Sequence, residues 1–167
     1  MTDKSWTEIQ ALAVKAATGA EVPPAQALAF GSMLARHLAD GGSEAPLSQA
    51  LDTPATILAL AHQVERMIET ASVSGRVVGM REQDPGRRAM LISWLASLPC
   101  QAEITANADE VCATLSLSAP GLRARPARIS IGSALFEQMQ TLAARTYVPD
   151  SDASRAGGAG AGLMDLD

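Results

Sequence analysis

The chain predicts an α+β fold, with N-terminal helices, a small antiparallel sheet of about three strands, a C-terminal helix and a Gly-rich tail. Three observations carry that expectation. Apolar residues recur at helical spacing, with cap signals, through most of the first 99 residues. The period then switches to strict alternation, as the pleat of a half-buried strand requires. A last amphipathic stretch opens at Ser133. Length is compatible with one domain over residues 1–147, followed by an acidic tail over residues 148–167.

The first helix has an explicit start. In "SWTE", Ser5 is the N-cap and Glu8 stands three residues on, so each side chain can satisfy a free amide of the first turn. The helix ends at Gly19, and Trp6, Ile9, Leu12, Ala13, Ala16 and Ala17 form a face of mostly small residues. A second helix opens at "VPPAQ", where proline fits the first turn, and stops at "DGG". Ala27, Gly31 and Ala35 recur every four residues and predict close approach of a neighbouring helix. A short helical turn over residues 46–51 precedes a third long helix, capped by Thr53 with Pro54 first, whose buried stripe is Ile57, Leu60, Ala61, Val64, Met67 and Ile68. Another helix runs from Pro85 or Arg87 to about Ser97, with Asp84 as its cap.

Alternation predicts strands at "CQAEIT" and "VCATLSLS", joined by a hairpin over residues 107–110, and a third at "ARISI" that begins beyond Pro126. In "SALFEQMQTLAARTY", Leu135, Phe136, Met139, Leu142 and Ala143 give the last helix its core face.

Composition narrows the function. Net charge is −5 and aromatics are 3% of residues, which argues against nucleic acid, since binding it needs a basic surface and exposed stacking rings. No run approaches the ~18 apolar residues of a membrane span, and the N-terminus lacks an apolar leader core, so a cytoplasmic protein is expected. Cys100 and Cys112 read as reduced thiols, with no CxxC pair and no ligand spacing for a metal; no metal or cofactor is expected. There is no GxSxG, HExxH or P-loop pattern. His37 and His62 lack a partner beyond an ordinary helix-surface pairing of His62 with Glu65 or Glu69. Cys112, on the polar side of its strand, is a reactive-thiol candidate only if arginines lower its pKa.

Charge is uneven along the chain. Residues 1–75 hold four Lys or Arg against eight Asp or Glu, residues 76–147 hold eight against six, and residues 148–167 hold one against four. Within the mildly basic middle, "GLRARPAR" places Arg123, Arg125 and Arg128 in a stretch with no acid between Glu110 and Glu137. Such a cluster can grip carboxylate or phosphate through bidentate hydrogen bonds, or can simply protect a strand edge.

The tail "SRAGGAGAGLMDLD" does not read as a phosphate loop, because no helix and no lysine follow its glycines. Arg145, Thr146, Tyr147, Val148, Pro149, Ser154, Arg155 and Gly158, Gly160 and Gly162 form an RTYVP...SR..GAGAG segment. In that segment the chain resembles a bacterial family of domains of unknown function. The resemblance implies that the tail is a defined feature, and it brings no activity, substrate or catalytic residue. Leu163, Met164 and Leu166 can anchor such a tail on an apolar groove, with its acids meeting Arg123, Arg125 or Arg128.

Two functional classes remain. The favoured expectation is a non-enzymatic accessory or protein-interaction domain, as a homodimer or with a protein partner, its Ala-rich helix faces packing against that partner. The alternative is a binder of, or an enzyme acting on, a small anionic metabolite, with Arg123, Arg125, Arg128, Arg145 and Arg155 as ligand-binding candidates. Catalytic residues are not assigned.

Overall fold

The structure, a computed structural model, describes residues 1–74, 78–121 and 123–146. Among these the fold is α+β, with elements in the order β1 Thr2–Ser5, α1 Trp6–Gly19, α2 Pro24–Ala39, α3 Glu44–Asp52, α4 Pro54–Ser74, β2 Val78–Arg81, α5 Pro85–Ala96, β3 Cys100–Ala106, β4 Glu110–Pro120, β5 Arg128–Ile131 and α6 Ser133–Ala144. The predicted tail over residues 148–167, and its docking on the arginines, lie outside the described residues.

Cap chemistry sets the helix starts. The Ser5 side chain accepts from the Glu8 amide while Glu8 reaches back to the Ser5 amide, completing the capping box. At α5 the Asp84 carboxylate accepts from the Arg87 amide, and Pro85 occupies the first position. The segment at residues 46–51 is a full nine-residue helix, α3, capped by Ser43.

α2 lies at the centre. Its buried residues, from Ala27 to Leu38, occupy nearly its whole circumference, as a helix packed on several sides requires. α1 packs on one flank, α4 and α5 on others, and α6 covers the outer side of α1. The predicted close approach is real: a Cβ on Gly31 would sit 2.5 Å from Val14 Cγ2 and 2.9 Å from the Gln10 carbonyl. The small-residue faces of α1 and α2 therefore close on each other inside one chain.

The strands divide into two sheets where one had been expected. β4 is the centre of a three-stranded antiparallel sheet, β2-β4-β3, and the β3–β4 hairpin turns at residues 107–110, where the Asn107 side chain accepts from the amides of Asp109 and Glu110. The third predicted strand, β5, instead pairs antiparallel with β1, in the register Thr2↔Ile131 to Ser5↔Arg128. Neither β1 nor β2 was expected from the sequence. Each is four residues long, and its alternation is too brief to read; each exists because a longer-range ladder completes it. The three-stranded sheet packs on α4 and α5.

Candidate functional site

A cleft of about 570 Å³ opens where the start of α1, the last turns of α2, the α5–β3 junction and the segment after β4 meet. Its walls carry Trp6, Gln10, Ser32, Arg36, Arg123 and Arg125, together with Cys100 and Gly121. Its size falls within the range of small-molecule sites.

The capping box fixes Trp6 as the first residue of α1. Its indole nitrogen donates to Gln10 Oε1 at 3.1 Å, the Gln10 amide donates to Ser32 Oγ at 2.9 Å, and Ser32 in turn donates to the Leu28 carbonyl at 3.3 Å. An indole nitrogen can only donate, so this chain also fixes which end of the Gln10 amide faces it.

Arg36 is 6% exposed, in the last turn of α2, where its charge complements the helix dipole. One nitrogen donates to the Ala124 carbonyl at 2.8 Å and another meets Asp40 Oδ1 at 2.7 Å. The second oxygen of Asp40 holds Arg123, at 3.2 Å. One carboxylate thus bridges two guanidiniums. The Arg36 and Arg125 guanidinium carbons lie 5.3 Å and 5.5 Å from the Trp6 ring centroid, within cation–π range. Two arginines from distant stretches thus face one indole, and a third shares a carboxylate with one of them.

Gly121 lets the segment after β4 close on this site. Its amide donates to the Pro99 carbonyl at 2.9 Å, and a Cβ there would lie 2.9 Å from the Leu98 carbonyl and 3.2 Å from that of Cys100. Only glycine permits that backbone approach.

Of the sequence-predicted residues, Arg123 and Arg125 line the cleft. Arg128 does not: it stands on β5 opposite Ser5 and reaches the Asp3 carbonyl at 3.4 Å. Arg145 follows α6 as its C-cap and is not part of the cleft lining. Arg155 lies outside the described residues. Sequence reasoning missed Arg36, Asp40 and Trp6. The available signal was a charged residue on an otherwise apolar helix, with its i+4 acid.

The other candidates resolve differently. His37 is buried, its Nδ1 2.9 Å from Ser93 Oγ and its Nε2 2.9 Å from the Ser43 carbonyl, so Nε2 carries a proton and the ring ties α2 to α5 and to the start of α3. His62 is exposed on α4. Cys112 is not arginine-activated: burial, followed by the charge and hydrogen bond of Glu110, pushes its thiol above the ordinary value. Glu110 and Cys112 flank Gly79, where a Cβ would lie 2.6 Å from Glu110 Oε1 and 3.4 Å from Cys112 Sγ.

Among the described residues no group of three or more His, Cys, Asp or Glu could hold a metal ion, and no helix is long and apolar enough to cross a membrane. Comparison with protein-family models, curated proteins and solved structures finds no match.

Proposed function

We propose that the protein binds a small organic anion, a carboxylate or phosphate ester, in the cleft formed by Trp6, Arg36, Arg123 and Arg125. The supporting observation is the convergence of three guanidiniums on a cleft of about 570 Å³ from segments as far apart as α2 and the β4–β5 connection. Arginine forks match carboxylate and phosphate geometry, and Arg125 is exposed at the rim with its charge directed at the indole and at no acid among the interactions described. Asp40 occupies part of the cationic surface and sets the level of charge an incoming anion meets.

The expectation favoured from the sequence, an interaction domain acting as a homodimer or with a protein partner, draws no support from the small-residue helix faces. The Ala- and Gly-rich faces of α1 and α2 are consumed by packing within the chain. A cytoplasmic setting, with both cysteines as free thiols, belongs to the same proposal.

The test is a thermal-stability screen against organic acids and phosphorylated metabolites, because a ligand that binds only the folded state raises Tm in proportion to the logarithm of its concentration. A saturable increase that disappears in Arg125→Ala is expected. No increase from any anion, or one that persists in Arg125→Ala, overturns the reading.

A further inference from the structure

We propose that Cys100 is a site of mixed-disulfide formation with small disulfides that carry carboxylates. The inference rests on the anion-binding reading of the cleft and adds a covalent step to it.

Cys100 is a half-buried free thiol and lines the same cleft as Arg36, Arg123 and Arg125. Its position there depends on an irregularity in the sheet. Gln101 pairs with Ser116, so regular pairing would set Cys100 opposite Leu117; instead it pairs with Pro120, leaving residues 117–119 looped out. Bulges of this kind re-aim side chains and recur beside sites. Gly121, immediately after, packs against the Leu98 and Cys100 carbonyls and brings the arginine-bearing segment over the thiol's strand.

A second observation is independent of the cysteine. Arg36 is 6% exposed and lines the cleft, yet its Nε has no hydrogen-bond partner, although Ala124 and Asp40 engage its other nitrogens. A buried cation with an unused donor, together with two exposed arginines, gives the cleft that the thiol lines a fixed positive charge. Such a field concentrates anionic reagents by about 10-fold or more. Cys112 offers the opposite environment, beside the Glu110 carboxylate and outside the cleft.

The reaction is thiol–disulfide exchange. Cys100 releases its proton to solvent, and its sulfur attacks one sulfur of the small disulfide. The new S–S bond forms as the original S–S bond breaks, and the departing thiolate takes up a proton. The protein thiol is oxidised, one half of the small disulfide is reduced, and no further reactant is needed. The guanidiniums hold the reagent's carboxylates while the exchange proceeds.

The experiment uses the full chain as Cys112→Ser and, separately, Cys100→Ser, each incubated with glutathione disulfide and followed by intact-mass spectrometry. Cystamine, a cationic disulfide, serves as the control reagent. Cys100 should form the glutathione adduct about tenfold faster than Cys112. Adding Arg123→Ala and Arg125→Ala to the Cys112→Ser chain should slow that reaction several-fold and leave the cystamine reaction no slower. Both arginines are exposed, so the substituted chain should keep its Tm. Absence of a Cys100 adduct overturns the proposal, as does an equal slowing with both reagents, which would mean that exposure and not charge had changed. If small anions raise Tm while Cys100 stays unmodified, the covalent step alone fails; if neither occurs, the cleft reading fails with it.

Discussion

The two cysteines stand on neighbouring strands of one small sheet and occupy opposite electrical environments. Cys100 opens β3 and lines the cleft that three arginines also line; Cys112 lies in β4 next to Glu110, with its thiol held above the ordinary value. Strand alternation alone would rank Cys112, on the polar side, as the more reactive. Which charges the fold brings alongside matters more. At Cys112 the acid comes from two residues earlier on the same strand; at Cys100 the cations come from α2 and from the connection after β4.

That contrast can be broken from either side. The largest effect is expected from Arg36→Ala, which leaves the Ala124 carbonyl without its donor and Asp40 without its shorter ion pair; a loss of about 2–3 kcal/mol should appear in chemical denaturation, together with loss of anion binding. Gly121→Ala should follow, at about 1–2 kcal/mol, because its new methyl meets backbone and not a flexible side-chain tip. Its anion affinity should fall as the arginine segment lifts from Leu98 and Cys100.

Glu110→Gln acts on the other member of the pair. Removing the carboxylate lowers the Cys112 pKa towards the free-thiol value of about 8.5. A thiol with a lower pKa is more ionised at neutral pH, so alkylation of Cys112 in the Cys100→Ser chain should accelerate about threefold at pH 7.5. Its rate–pH profile should shift to lower pH. The smallest effect is that of salt. Raising ionic strength from about 0.01 M to about 0.15 M shortens the screening length from about 30 Å to about 8 Å. The reaction of Cys100 with glutathione disulfide should slow about twofold, and that of Cys112 should not slow.

Local chemistry made the helices legible. Ser5 with Glu8, Asp84 before Pro85, and Pro54 after Thr53 each mark a start that the structure keeps. β1 and β2 were illegible for the complementary reason: "TDKS" and "VGMR" have no strand pattern of their own, and their partners lie far along the chain. The same limit divides the site. Arg123 and Arg125 stand out because an acid-free stretch surrounds them in sequence. Arg36 is 88 residues from the carbonyl it binds, and with Asp40 it reads as an ordinary surface pair along a helix. The small residues of α2 were legible as a close-packing signal, though the identity of the neighbour was not. Gly31 does mark close packing, and the neighbour is α1 of the same chain.

The pairing of β1 with β5, joined to the packing of α1 on α6, has a consequence for the order of events during synthesis. Asp3 lies opposite Ser130, and the Gly19 backbone presses so closely on the Leu142 carbonyl that no Cβ fits between them. β1 and α1 therefore wait, with one apolar flank bare, until β5 and α6 have been made. Contacts of such long sequence separation slow folding and leave that flank open to other chains meanwhile.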